Sequence, residues 1–446
     1  MLDFIGIGIG PFNLSLAALL EDTDSLDYLL FEQQPEFAWH AGMLLPNTTL
    51  QVPFMADLVT MVEPTNRFSF LNYLKQQDRL YRFYFLENMH IPRREYNHYC
   101  RWASKQIERL RFASRVVAIH ALPMGFEVQV MNRGELEHFQ CRDLVLGTGT
   151  APALPQCLQA LAAAHPDRCF HSSQFHPRMH EHQQGDVSIV GSGQSAAEAF
   201  QYLFERQLDP YEDPRFRLNW LTRSPGFFPM EYSPLGLEHF SPDYTRHFFS
   251  LPQGRKDQLL ANQGLLYKGI DFETIRSIYE DLYHRTVGGA QSHVALSAHS
   301  ELLSARFDGG RIIMEFKQLD QHREFTLSTD YLVAATGYRH ALPGCVEGLQ
   351  SCLELDQHGR LIIDEHYQAL HSANGRLFLQ NAELHTHGVG APDLGLGAHR
   401  AAIIANQLLG YERFQLGRAD CFQRFGAPAT SRSSCATVSS IQARGI

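Results

Sequence analysis

The chain has 446 residues, of which 44% are hydrophobic and 19% charged, the balance of a globular protein with more than one core. A formal net charge of −10 without any basic stripe argues against a nucleic-acid partner, and the first apolar run, broken by glycines and preceded by no basic segment, reads as a strand and not as a leader or membrane span. The eight cysteines lack Cys-x-x-Cys spacing and the 23 histidines lack companion ligands, so neither disulfides nor a metal site is expected and a reducing cytoplasm suits the composition.

In chain order, an apolar strand over residues 3–9 enters the cluster Gly6-Ile-Gly8-Ile-Gly10-Pro11-Phe12-Asn13, followed by a helix over 12–21. Gly8 and Gly10 hold the first two positions of a dinucleotide fingerprint, while Asn13 stands where a third glycine is usual. A second strand over 26–31 ends at Glu32, an acid placed to accept hydrogen bonds from a ribose diol. The segments 37–43 and 50–58 have no helical or strand period but are rich in aromatic, polar and glycine residues, as ligand-lining segments are. Helices are expected over 68–74 and 99–110, the latter opened by residues 92–96, then strands over 116–119 and 126–131. A further strand ends at Gly147-Thr148-Gly149.

A helix over 158–164 and a polar stretch precede the second fingerprint, Gly191-Ser-Gly193-Gln194-Ser195, which follows the apolar strand 187–190. Two such clusters, each between a strand and a helix, predict a chain that holds two dinucleotides and passes electrons from a nicotinamide to a flavin. The next strand, 217–224, ends in Arg223 and Ser224, a cation and a hydroxyl that suit a 2′-phosphate, which favours NADPH over NADH. Residues 225–283 read as an insertion with helices over 256–260 and 272–282. Strands then return over 312–316, over 331–335 before Thr336-Gly337-Tyr338, and over 375–381. Asp393-Leu394-Gly395-Leu396 leads into a helix over 397–409 whose N-terminus is expected to face the flavin pyrimidine edge. The expected architecture is α/β, with two Rossmann-like dinucleotide-binding domains and a small, mostly helical inserted substrate region. The expected boundaries are 1–182 with 374–426 for FAD, 183–224 with 284–373 for NADPH, and 225–283 for the insertion. A serine- and threonine-rich tail, 427–446, is expected to be disordered.

The strings Gly8-x-Gly10-Pro11-x-Asn13, residues 51–57, Gly191-x-Gly193-Gln194-Ser195-Ala196 and Ala335-Thr336-Gly337-Tyr338 resemble the flavin-dependent N-hydroxylating monooxygenases of siderophore biosynthesis. The likeness runs from Ile5 to about Gln407 and implies FAD, NADPH and O2 as reactants and a homo-oligomer, commonly a tetramer. It also implies that Gln51 holds flavin and nicotinamide, that Trp39, His40 and Met43 line the same cavity, and that Leu394 and Leu396 lie at the flavin. His40 is a candidate general base. In the amino-acid hydroxylases of this family a lysine stands at the position of Ala56 and an asparagine at that of Leu237, and together they hold the substrate carboxylate. Apolar residues there point to a substrate without that group, an aliphatic diamine such as cadaverine or putrescine. Asp57, Glu231 and Glu238 are unranked candidates for the distal ammonium. Three alternatives remain: an L-lysine or L-ornithine monooxygenase, a redox-silent nucleotide sensor, and a flavin disulfide reductase, which the missing Cys-x4-Cys disfavours.

Overall fold

Strand β1 (Leu2–Ile7) runs between β2 (Tyr28–Phe31) and β6 (Glu135–Leu146), parallel to both. With β3 (Leu110–Arg111), β4 (Ser114–Ala121) and β5 (Phe126–Asn132) these form a sheet of order β3-β2-β1-β6-β5-β4. The computed structural model describes residues 1–23, 25–182, 184–208, 214–417 and 421–428. Both faces of the central strands are covered, which is why their sequences are continuous apolar runs and not alternating ones. Phe4, Tyr28 and Leu30 pack against the helices Pro11–Leu20, Arg93–Ser104 and Gly397–Leu409, while Ile5, Ile7 and Phe31 pack on the opposite side against Val346, Leu349 and Ile363.

The short strand β7 (Ala151–Pro152) carries the chain to a second sheet made of β8 (Cys169–His171), β9 (Val187–Val190), β10 (Leu218–Leu221) and β11 (Val294–Ser297). An antiparallel layer, β12 (Ser300–Asp308), β13 (Arg311–Gln318) and β14 (Arg323–Thr329), precedes β15 (Tyr331–Ala334), which completes the parallel order β11-β10-β9-β15-β8. Strand β16 (Tyr338–Arg339) pairs back on β7, and β17 (Leu377–Leu379) returns to the first sheet beside β6. Val187, Ile189 and Trp220 face the helix Gln194–Gln207, and Val190, Leu221 and Leu332 face Ile312, Met314 and Phe316.

Sheet membership moves two expected boundaries. Strand β8 already belongs to the second sheet, so that unit begins before residue 183. Val346, Leu349, Leu361 and Ile363 lie in the core of the first sheet, so the chain has left the second unit well before residue 373. The insertion bridges the two. Its Ile270 and Ile278 join the core of the second sheet, while Tyr244 and Phe248 enclose Val389 from the segment ahead of the last helix. Not expected from the sequence were the helix Leu80–Leu86, which buries no residue, the helix Pro242–Ser250 and the strands β12 and β14, while the expected strands at 116–119 and 126–131 join β6 in one antiparallel meander. The expected disordered tail falls, from residue 429 on, outside the described residues.

Candidate active site

The two glycine loops repeat one physical arrangement. Gly8 has φ +85° and a Cβ there would stand 2.7 Å from the Gly147 carbonyl oxygen; Gly191 has φ +138° and a Cβ would meet the Ala335 carbonyl at 2.1 Å. These glycines are required by backbone conformation and packing. Gly10 and Gly193 are not. Both are extended (φ −80° and −93°), and a Cβ would find only the Gly147 oxygen at 3.9 Å from Gly10, and nothing within 4 Å of Gly193. Each directly precedes a helix, Pro11–Leu20 or Gln194–Gln207, whose N-terminus has no side-chain cap. Bare helix N–H groups behind an open, side-chain-free step form a seat that fits a pyrophosphate.

Asn13 lies beneath the first seat and is fully buried. Its Nδ2 donates to the Gly8 and Ile7 carbonyls at 2.7 and 3.3 Å, and its Oδ1 accepts from Gln380 Nε2 at 2.7 Å. It therefore braces the ends of β1 and β17, with its hydrogen bonds directed to protein. Glu32, at the end of β2 as expected, receives the Ile9 and Gln34 N–H groups, each at 2.9 Å. In the second unit, Ser224 Oγ meets Ser192 Oγ at 2.9 Å, which places the end of β10 against the glycine loop. The neighbouring Arg223 side chain is 78% exposed and only 3.9 Å from Glu301, free to turn toward a phosphate. Ser195 lies in the first turn of the helix that this loop opens.

The two units meet at the rings of His40 and Tyr338. Tyr338 is held there because the Thr336 hydroxyl donates to the Ala153 carbonyl at 2.7 Å and His171 Nε2 donates to the Gly337 carbonyl at 2.9 Å. Its ring stands 6.1 Å from that of His40, which lies 4.7 Å from Trp39. His40 keeps an exposed edge yet is surrounded by protein elsewhere, and this burial, reinforced by the Arg93 charge, lowers its pKa to about 4. The ring is neutral at neutral pH and a weak base. Met43, expected in the same lining, is instead 2% exposed within the apolar core of the second sheet, and its carbonyl accepts from Arg93 Nη1 at 3.1 Å.

Three segments, around Gln51, Tyr232 and Asp393, come close to one another. The Gln51 carbonyl accepts the Tyr232 hydroxyl, whereas Gln51 Nε2 is buried without a protein partner, an amide left for a ligand. Burial, and then the charges of Asp393 and Asp271, raise the Tyr232 hydroxyl to about 12. Asp393 caps the Gly395 N–H at 2.7 Å, beside half-buried Leu394 and buried Leu396 and one turn before the uncapped helix Gly397–Leu409. Burial lifts its carboxyl to about 6 against the opposing Gly395 and Leu396 N–H groups. This acid was not singled out from sequence. The signal was there, an aspartate in N-cap position before Leu394.

The three acids that were singled out have other duties. Asp57 is 4% exposed and accepts from the N–H groups of Val59, Thr60 and Phe70 and from the Thr60 hydroxyl. Glu231 turns back on its own loop to accept the Ser233 N–H at 2.9 Å. Glu238 accepts the N–H groups of Phe422 and Gln423 at 2.9 and 3.0 Å. Ala56 is buried and Leu237 half-buried, as apolar as their sequence reads.

One buried network joins all parts of the site. Arg93 forms a bidentate pair with Glu198, at 2.8 and 2.6 Å, from the first unit to the helix of the second. Gln194 Nε2 donates to Glu198 and to the Thr274 hydroxyl, and its Oε1 accepts the Asp271 N–H at 2.7 Å, which ties in the insertion. The first residue of the second nucleotide seat is thus also the fastening point of the insertion.

The chain is similar to known proteins along nearly its whole length. The chain is 46% identical over 439 residues to the rhizobactin siderophore biosynthesis protein of Rhizobium meliloti, covering 96% of each. It is 42% identical to the putrescine N-hydroxylase of Shewanella oneidensis, covering 95% of this chain and 84% of that one. The structure of the FAD-bound cadaverine monooxygenase of desferrioxamine biosynthesis from Erwinia amylovora superposes with a TM-score of 0.89 at 38% identity, covering 97% of this chain and 100% of the other. Residues 1–340 match the sequence profile of a single family, and the chain belongs to it: the L-lysine 6-monooxygenase/L-ornithine 5-monooxygenase family.

Proposed function

We propose that the protein is an FAD- and NADPH-dependent monooxygenase that N-hydroxylates one terminal amine of an aliphatic diamine, cadaverine or putrescine, for hydroxamate siderophore biosynthesis. The observation that carries the substrate class is the apolar pair Ala56 and Leu237, where the resemblance places a lysine and an asparagine in the enzymes that hold an amino-acid carboxylate. Burying a carboxylate against these side chains without a partner costs several kcal/mol. The putrescine and cadaverine enzymes among its relatives act on substrates that lack this group.

Bound FAD supplies hydride acceptance from NADPH and the activation of O2. The chain's own residues position and enclose. The steps at Gly10 and Gly193 would receive the pyrophosphates on two helix ends, and Glu32, at the end of β2, would meet a ribose. Gln51 would offer its free amide to flavin and nicotinamide, with Trp39, His40 and Tyr338 lining the approach. Neutral His40 adds no positive charge there, in keeping with a reacting amine that enters as its nucleophilic free base. We place the enzyme in the cytoplasm as a homotetramer; Cys100, Cys141, Cys157, Cys169, Cys345 and Cys352 are free thiols, in keeping with that compartment.

Two measurements test this reading. Hydroxylamine formation from cadaverine, putrescine, L-lysine and L-ornithine is expected to favour a diamine by about 100-fold or more in kcat/KM, the cost of an unpaired buried carboxylate. Equal efficiency with lysine overturns the substrate assignment. For the dinucleotide, Arg223→Ala is expected to raise the KM for NADPH about tenfold or more while changing that for NADH little, as removal of a 2′-phosphate contact does. Equal changes for both remove Arg223 from that role.

A further inference from the structure

We propose that Asp393 holds the distal ammonium of the diamine, an assignment that rests on the diamine reading above and names its missing anion. A diamine that presents a neutral amine to the reacting centre keeps its far amine protonated, since an unperturbed alkylammonium titrates near pH 10. That charge, enclosed with the substrate, requires an acid that is close, partly accessible and not already paired.

The acids along the three segments around Gln51, Tyr232 and Asp393 can be taken in turn. Asp57 is saturated by four donors within its own loop and helix start. Glu231 and Glu238 serve backbone N–H groups, of their own loop and of residues 422–423. Asp271 caps the helix Phe272–Arg285 and bonds Thr274 twice. Glu383 is fully buried against Arg400. Asp393 alone among these combines partial exposure, the absence of any cation within ion-pair distance among the described residues, and engagement only by the N–H groups of its own turn. Its position also fits. It precedes the helix Gly397–Leu409, and its charge acts on Tyr232, whose hydroxyl bonds to Gln51. An anion there stands beside the Tyr232 hydroxyl that reaches Gln51, whose side-chain amide is free.

The decisive comparison uses the FAD-loaded enzyme and two amines of equal chain length, cadaverine and 1-pentylamine, which lacks the second charge. The wild-type protein is expected to prefer cadaverine by about 100-fold in kcat/KM for hydroxylamine formation, the range found for a desolvated charge pair. Asp393→Asn keeps an oxygen for the Gly395 N–H, so flavin content and Tm report whether the turn survives. In this variant the preference is expected to fall below about fivefold, mainly through the KM for cadaverine. Asp393→Glu, with its charge about one methylene farther along its side chain, is expected to shift the preference from cadaverine toward putrescine, a change no structural role of the turn would produce. If the diamine preference holds in the wild type but survives in Asp393→Asn, this assignment alone is overturned. If Asp393→Asn loses its flavin, an unshifted chain-length preference in Asp393→Glu overturns it. If the wild type uses lysine as well as cadaverine, the diamine reading falls and takes the assignment with it.

Discussion

Replacing Gly10 by alanine is expected to leave the fold standing and deprive it of flavin, whereas alanine at Gly8 is expected to damage the fold itself. At Gly10 the backbone is ordinary and the space beyond is open, so a methyl group costs less than about 1 kcal/mol as a poorer N-cap. The methyl group would occupy the step across which a phosphate reaches the helix N–H groups, and FAD affinity should fall about 100-fold or more. At Gly8 the methyl group must fit 2.7 Å from the Gly147 oxygen at φ +85°, a combined strain of about 2–4 kcal/mol. The second loop should divide in the same way, with Gly193→Ala raising the KM for NADPH while the protein stays yellow, and Gly191→Ala destabilising. Urea unfolding and the FAD-to-protein ratio separate the two classes. Full flavin occupancy with unchanged affinity in Gly10→Ala rules out the seat described for the first loop.

The second large effect is expected at Glu198. Its carboxylate and the Arg93 guanidinium are 4% and 10% exposed, and their two hydrogen bonds are the most buried ionic link between the first unit and the helix that seats the dinucleotide. Glu198→Gln leaves a buried guanidinium without its counter-charge, and the cost should be about 3–5 kcal/mol by urea or thermal unfolding. The double variant Arg93→Met/Glu198→Leu removes both charges from a largely apolar setting and should recover most of that loss. Its activity should not recover in step, because Gln194 would lose a partner and with it part of its hold on Asp271 and Thr274. A Glu198→Gln protein as stable as the wild type shows that the link carries no net energy.

Much of the fold was legible because burial on two faces writes itself as apolar runs. Strands β1, β2, β9, β10 and β15 and the helix Gly397–Leu409 lie where those runs predict them. The helix Leu80–Leu86 was not legible, since with no buried residue its aromatic side chains follow no helical stripe. The two misplaced boundaries share one cause. Whether residues 169–171 or 346–363 belong to one sheet or the other is decided by pairing and packing with partners far along the chain, which no local pattern records. At the site, the glycine steps stand out as glycine clusters between a strand and a helix, whereas Gln51, His40 and Tyr338 were singled out by the resemblance. The roles of the acids were not, because a carboxylate's availability depends on which N–H groups surround it. Asp57 and Asp393 look alike as letters and differ only in how many donors each one meets.

In the usual fingerprint a third glycine lets the helix approach the sheet closely. Here the small residue has changed sides. A Cβ on Gly147 would stand 2.5 Å from the Asn13 side chain, so the asparagine on the helix fills the hollow that the glycine at the end of β6 leaves. Positions 13 and 147 are therefore one steric unit, free to vary only as a pair. Enlarging residue 147 without shrinking residue 13 would pry the strand ends apart directly under the first glycine loop.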